Sequence, residues 1–95
     1  MDVAELRIII DELDRKLVEL LNERARAAQS IGRLKRHTSM PIYEPDRERA
    51  VFQNIARANQ GPLREQDLDV IYQALIAVMR EIQSHEILDA TDNEK

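Results

Sequence analysis

Two cations sit on a seam that should be hydrocarbon. Leu17, Leu21, Arg24, Ala28, Ile31 and Lys35 follow one another in steps of three and four, so on a helix they share one face. Lys35 comes eleven residues after Arg24, nearly eclipsed with it and about 16 Å further along the axis. Long side chains converging from those positions can grip a small anion. Residues 42–51, IYEPDRERAV, repeat the mixture: Glu44, Glu48, Val51 and Ile55 share a face, with Arg47 beside it. Gln83 follows Met79 by one turn near a third apolar face, where a buried amide must find partners. Taken together, these residues describe a half-buried polar pocket with three cations for carboxylates and acids to accept hydrogen bonds from a hydroxyl. Taken singly, they also fit a plainer account, in which Arg24 and Lys35 extend their charges into water and the acids and arginines of residues 44–49 form a solvated helix start.

Several chemistries have no residues to perform them. The sequence has no cysteine, hence no thiolate nucleophile, thiolate metal site or disulfide. His37 falls in a loop, His85 lies near the end of the last helix, and no spacing of histidines and carboxylates resembles a metal site. A catalytic pocket made of these residues would work by positioning and electrostatics, with no metal or cofactor expected. The net charge of −4 opposes a general role in nucleic-acid binding. Acids occupy the N-terminus where a secretory signal carries basic residues, and the apolar positions there are spaced rather than continuous, so neither export nor membrane insertion is expected. A cytoplasmic location follows as the expectation.

The elements that must position these residues are helices. Two glycines, three prolines and three aromatics, against abundant Ala, Leu, Ile, Glu and Arg, favour an all-α chain forming a single domain over residues 1–95. Apolar residues recur at helical spacing from Leu6 to Leu34 without an intervening proline, which predicts one helix over about residues 2–35. Residues 36–41 read as a loop. Pro45 suits the first position of a short helix over about 45–58, and NQGP at residues 59–62 is a stop. A third helix is expected over about 64–88, with Leu68, Ile71, Tyr72, Leu75, Val78, Met79, Ile82 and Glu86 near one face, before a disordered tail at 89–95. The first helix would be about 50 Å long, whereas a compact 100-residue domain has a radius of gyration near 13 Å. Its apolar stripe nevertheless continues to both ends, so an intertwined dimer burying two such stripes against each other is expected.

The order and spacing of these motifs resemble the all-α class of chorismate mutases, in its short monofunctional bacterial form, over about residues 3–88. The features carrying the resemblance are LR at Leu6 and Arg7, IDELDRKLVELLNER at residues 10–24, IGRLK ending at Lys35, DRERAV at residues 46–51, and a third helix bearing Gln83. The resemblance implies a domain-swapped helical homodimer that rearranges chorismate to prephenate on the route to phenylalanine and tyrosine. It implies that Arg24 and Lys35 bind substrate carboxylate, that Lys35 and Gln83 reach the ether oxygen, and that Arg47 lines the same pocket. Glu48 would accept from the ring hydroxyl, and Glu44 would contact that hydroxyl through backbone or side chain. The family's remaining arginine matches Arg7. Arg7 is seventeen residues from Arg24, about 25 Å on one straight helix, so it would serve that pocket only from the other subunit.

Two positions depart from the pattern. Glu44 stands where many relatives carry Asp, and Met79 where some carry a serine, whose hydroxyl can donate while a thioether cannot. An isochorismate lyase or an aminodeoxychorismate mutase would use a similar pocket, and a non-catalytic helical adaptor would use the charged seam to bind partner helices. Intrinsic feedback control is not expected in so short a chain; an enzyme of the same pathway could supply it as a partner.

Overall fold

A computed structural model describes residues 1–93. Three helices follow one another: α1 (Val3–Lys35), α2 (Pro45–Ala58) and α3 (Glu65–Asn93), with no strand among the described residues. None of them is long and apolar enough to cross a membrane.

Local chemistry sets the boundaries. Asp2 caps α1 by accepting a hydrogen bond from the Glu5 amide at 2.8 Å. After Lys35 the chain tightens into a turn: the His37 amide donates to the Leu34 carbonyl and the Thr38 amide to that of Lys35. The Thr38 hydroxyl donates to the Lys35 carbonyl and accepts from the Met40 amide, which ends the helix. Pro45 opens α2 in its first turn. Glu44, in the capping position before it, makes no side-chain cap because its carboxylate is taken by Lys35. Gly61, at φ 73°, supplies the left-handed residue of the next connection, and Asn59 bridges it by accepting from the Gly61 amide and donating to the Leu63 carbonyl. At the start of α3, Asp67 accepts from the Arg64 amide and guanidinium. The guanidinium holds the Asp67 carboxyl below the usual carboxylate range, and the carboxylate raises Arg64 in return.

The hub is α3, against which α1 and α2 both pack. Close approach of α1 depends on Gly32: a Cβ there would lie 3.0 Å from Gln83 Cα and 3.1 Å from both the Gln83 carbonyl oxygen and Glu86 Cβ. Glu86 then clamps the crossing, its carboxylate accepting from Arg33 Nε at 3.1 Å and its carbonyl from Arg36 Nη1 at 3.1 Å. The buried apolar residues among those described are few, namely Ala28, Ile76 and Met79. By contrast, residues 1–23 are all exposed, including Leu6, Ile10, Leu13, Leu17 and Leu20. The molecule is accordingly elongated, 58 × 27 × 15 Å with a radius of gyration of 16.9 Å.

Two expectations need correction. Ile71 and Val78 do not face the core; Ile76, absent from the expected stripe, does. With apolar residues around most of its circumference, α3 offers no single stripe, and its rotation follows from packing on Ala28 and Gly32 rather than from its own pattern. In addition, α3 runs on to Asn93 instead of ending near residue 88, since neither proline nor glycine interrupts the chain after Pro62. Of the tail expected over 89–95, residues 94 and 95 lie outside the described residues.

Candidate active site

Where the end of α1, the turn after it, α2 and the middle of α3 meet, they enclose a cleft of about 600 Å³. Lys35 forms its floor. Its side chain rises from the last residue of α1 into the crossing with α3 and is almost entirely buried, 2% exposed. A buried ammonium is costly unless its three protons are satisfied. Here they are: Nζ donates to Gln83 Oε1 at 3.0 Å, to Glu44 Oε2 at 3.1 Å and to the Ile42 carbonyl at 3.4 Å. The bond to Gln83 also orients that amide, because an oxygen engaged by Lys35 leaves the Nε2 donors for another acceptor.

Arg24 and Arg47 line the same cleft, from α1 and α2, together with Glu48, Met79 and Arg80. Met79 is buried beside Ala28 and Ile76, a core residue forming one wall. Seven of the eight residues expected from the sequence therefore meet here: Arg24, Lys35, Glu44, Arg47, Glu48, Met79 and Gln83. Arg7 does not. It sits just over one turn into the exposed part of α1, far from the cleft on its own chain.

Arg80 escaped the sequence reading. Its Nη2 donates to Glu48 Oε1 at 3.2 Å, its Nε lies 3.0 Å from Glu48 Oε2, and its guanidinium carbon is 5.2 Å from the centre of the Tyr43 ring. The signal was available, for Arg80 lies four residues after Ile76 and three before Gln83, a cation on the same seam of α3. Across the cleft, Arg24, Lys35, Arg47 and Arg80 outnumber Glu44 and Glu48 by two charges, which suits a small dianion. A second hollow, of about 570 Å³, lies beside Phe52, Arg57, Glu65 and Asp69; it shares no residue with the cleft, and its two acids disfavour an anion.

The family model described as chorismate mutase type II matches residues 6–84. The chain is 39% identical over 80 residues to the bifunctional chorismate mutase/prephenate dehydratase of Aquifex aeolicus, covering 80% of this chain and 22% of that protein. It thus spans about a fifth of the length of the first curated relatives it matches. The chorismate mutase of Methanocaldococcus jannaschii is 29% identical over 92 residues, with 96% of this chain and 92% of that protein covered. Among solved structures, chorismate mutase from Helicobacter pylori in complex with prephenate superposes with a TM-score of 0.81 at 28% identity, covering 90% of this chain and 92% of that one.

Proposed function

Since the chain belongs to the chorismate mutase type II family, we propose that it converts chorismate to prephenate, in a cleft completed by a second copy of itself. The observation that carries this reading is buried Lys35, held between Glu44 and Gln83 beside Arg24 and Arg47. The reaction is a unimolecular rearrangement: the ether C–O bond breaks as a C–C bond forms, and no proton, nucleophile or electron carrier takes part. What remains for the protein is to hold the folded conformer and stabilise negative charge growing on the ether oxygen.

Each residue then has a task. Arg24 and Arg47 engage carboxylate, and Lys35 and Gln83 donate to the ether oxygen. Lys35 can release its longest bond, the one to the Ile42 carbonyl at 3.4 Å, while Gln83 and Glu44 keep it aimed. Gln83 offers an amide donor that does not titrate. Glu48, with Glu44 near it, accepts from the ring hydroxyl. Losing a donor aimed at developing charge costs about 3 kcal/mol, roughly a hundredfold in rate.

A homodimer is part of the same reading. It is supported by the uncovered apolar residues of α1 and by the position of Arg7, which reaches a cleft only if that cleft belongs to the other subunit. The reading also carries a cytoplasmic location, where a small polar metabolite would be met, and leaves room for a pathway enzyme as partner. Proton NMR of the protein with chorismate tests it. Prephenate should appear rapidly, and Arg24→Ala should abolish its formation. No conversion of chorismate, with isochorismate or the amino analogue consumed instead, would reassign the substrate.

A further inference from the structure

Glu48 is the one acid of the cleft that does not touch Lys35, and it needs another means of holding its orientation. It projects from α2, one turn after Glu44, and its side chain is 20% exposed. Arg80 reaches it from α3. The guanidinium meets both carboxylate oxygens, with Nη2 to Oε1 at 3.2 Å and Nε to Oε2 at 3.0 Å, the latter outside hydrogen-bonding geometry and leaving Nε buried without an acceptor. On its other side the guanidinium faces the ring of Tyr43, two residues before the start of α2. Arg80 is thus confined between a ring and a carboxylate, and the carboxylate is confined in turn.

We propose that Arg80 is a positioning residue that fixes Glu48 for recognition of the substrate's ring hydroxyl, and so sets specificity for hydroxyl-bearing substrates. The inference rests on the mutase reading above. A carboxylate hydrogen-bonded at Oε1 and faced at Oε2 by the same guanidinium loses the rotation that an isolated glutamate would keep. A fixed acceptor discriminates a hydroxyl from its absence far better than a mobile one, because an analogue without the group leaves a polar atom unpaired. Arg80 also balances the second acid of the cleft, so that Glu48 serves the hydroxyl without repelling a dianion.

A brace between α2 and α3 with no part in recognition would give the same contacts, so the test must separate the two roles. Turnover of chorismate and of an analogue with hydrogen in place of the ring hydroxyl is compared in the wild type and in Arg80→Met. The expected result is a loss of about tenfold or more in kcat/KM with chorismate and little loss with the analogue. In a Glu48→Gln background, Arg80→Met should add little further loss on chorismate. Arg80→Lys keeps the charge and the fold but not the fork, and should show the same substrate-dependent loss to a smaller degree. Equal losses on both substrates, or full additivity with Glu48→Gln, would overturn the proposal. A wild-type protein that does not convert chorismate would instead overturn the mutase reading on which it rests.

Discussion

The two halves of α1 obey one sequence pattern and live in different surroundings. Toward the C-terminus, Ala28, Gly32 and Lys35 are buried against α3, and the Gly32 backbone lies in contact with Gln83. Toward the N-terminus, Leu6 is 47% exposed, Leu13 55% and Leu17 53%, along a stripe with the same spacing. Periodicity states that a face is to be buried and does not state by what. The C-terminal half finds its partner among the described residues; the N-terminal half, over four turns long, is left uncovered by them, as the proposed dimer requires. A continuous apolar face of that length is rarely left to water.

The sharpest break of this comparison is a charge on the N-terminal half. In an isolated chain Leu13→Glu would be nearly silent, because the site is already exposed. In the proposed dimer it buries an unpaired carboxylate at a cost of several kcal/mol. Sedimentation velocity at micromolar concentration should show a dimer for the wild type and monomers for the variant, with turnover lost alongside.

In the C-terminal half the largest effect belongs to Lys35. Lys35→Met keeps the stem of the side chain and removes the ammonium, leaving Glu44 and Gln83 without their shared donor. Turnover should fall by about a hundredfold or more while sedimentation still reports a dimer, the reverse of the dissociation expected for Leu13→Glu.

Gly32→Ala gives a smaller effect of a different kind. Alanine favours a helix over glycine by about 1 kcal/mol, yet the new methyl meets Gln83 backbone at 3.0 Å, which cannot give as a flexible side-chain end would. Overpacking of this sort costs about 1–3 kcal/mol. The thermal midpoint should drop despite the better propensity, and kcat should fall with it as Lys35 and Gln83 are pushed apart.

The smallest effect lies outside both halves of α1, at the start of α3. Arg64 holds the Asp67 carboxyl below its ordinary range, so the pair stabilises the fold above the unfolded pKa, about 4. That contribution is lost as pH falls through the lower, folded value. Wild type and Asp67→Asn should therefore differ slightly in thermal midpoint at neutral pH and converge in acid. Because Arg64 is exposed and Asp67 only partly covered, salt should shrink the difference.

Much of this was legible from the sequence, and the gaps have physical causes. Arg24, Lys35 and Gln83 stood out because each interrupts an apolar seam, and the cleft gathers all three. Arg80 makes the same interruption on α3 but was hidden by the ambiguity of that helix, whose apolar residues surround it too evenly to show which side faces inward. The same ambiguity put Ile71 and Val78 on the inner face in place of Ile76. Glu44 occupies a capping position without capping, since tertiary pairing with Lys35 outweighs a local bond that spacing alone would favour. Polar composition at residues 89–93 suggests a stop, yet no glycine or proline enforces one there, and α3 is bounded at Asn93.

Sharing of one cleft between two chains is the claim on which the rest depends, and mixing two inactive variants tests it most directly. Arg7→Ala and Arg24→Ala would each be prepared, shown to be dimeric and inactive, then unfolded and refolded together. If Arg7 serves the partner's cleft, each mixed dimer carries one intact site and one doubly damaged site. About a quarter of the wild-type sites should then be restored at equal mixing. A mixture that stays inactive, although mixed dimers have formed, would contradict a shared site and place the function of the exposed half of α1 elsewhere.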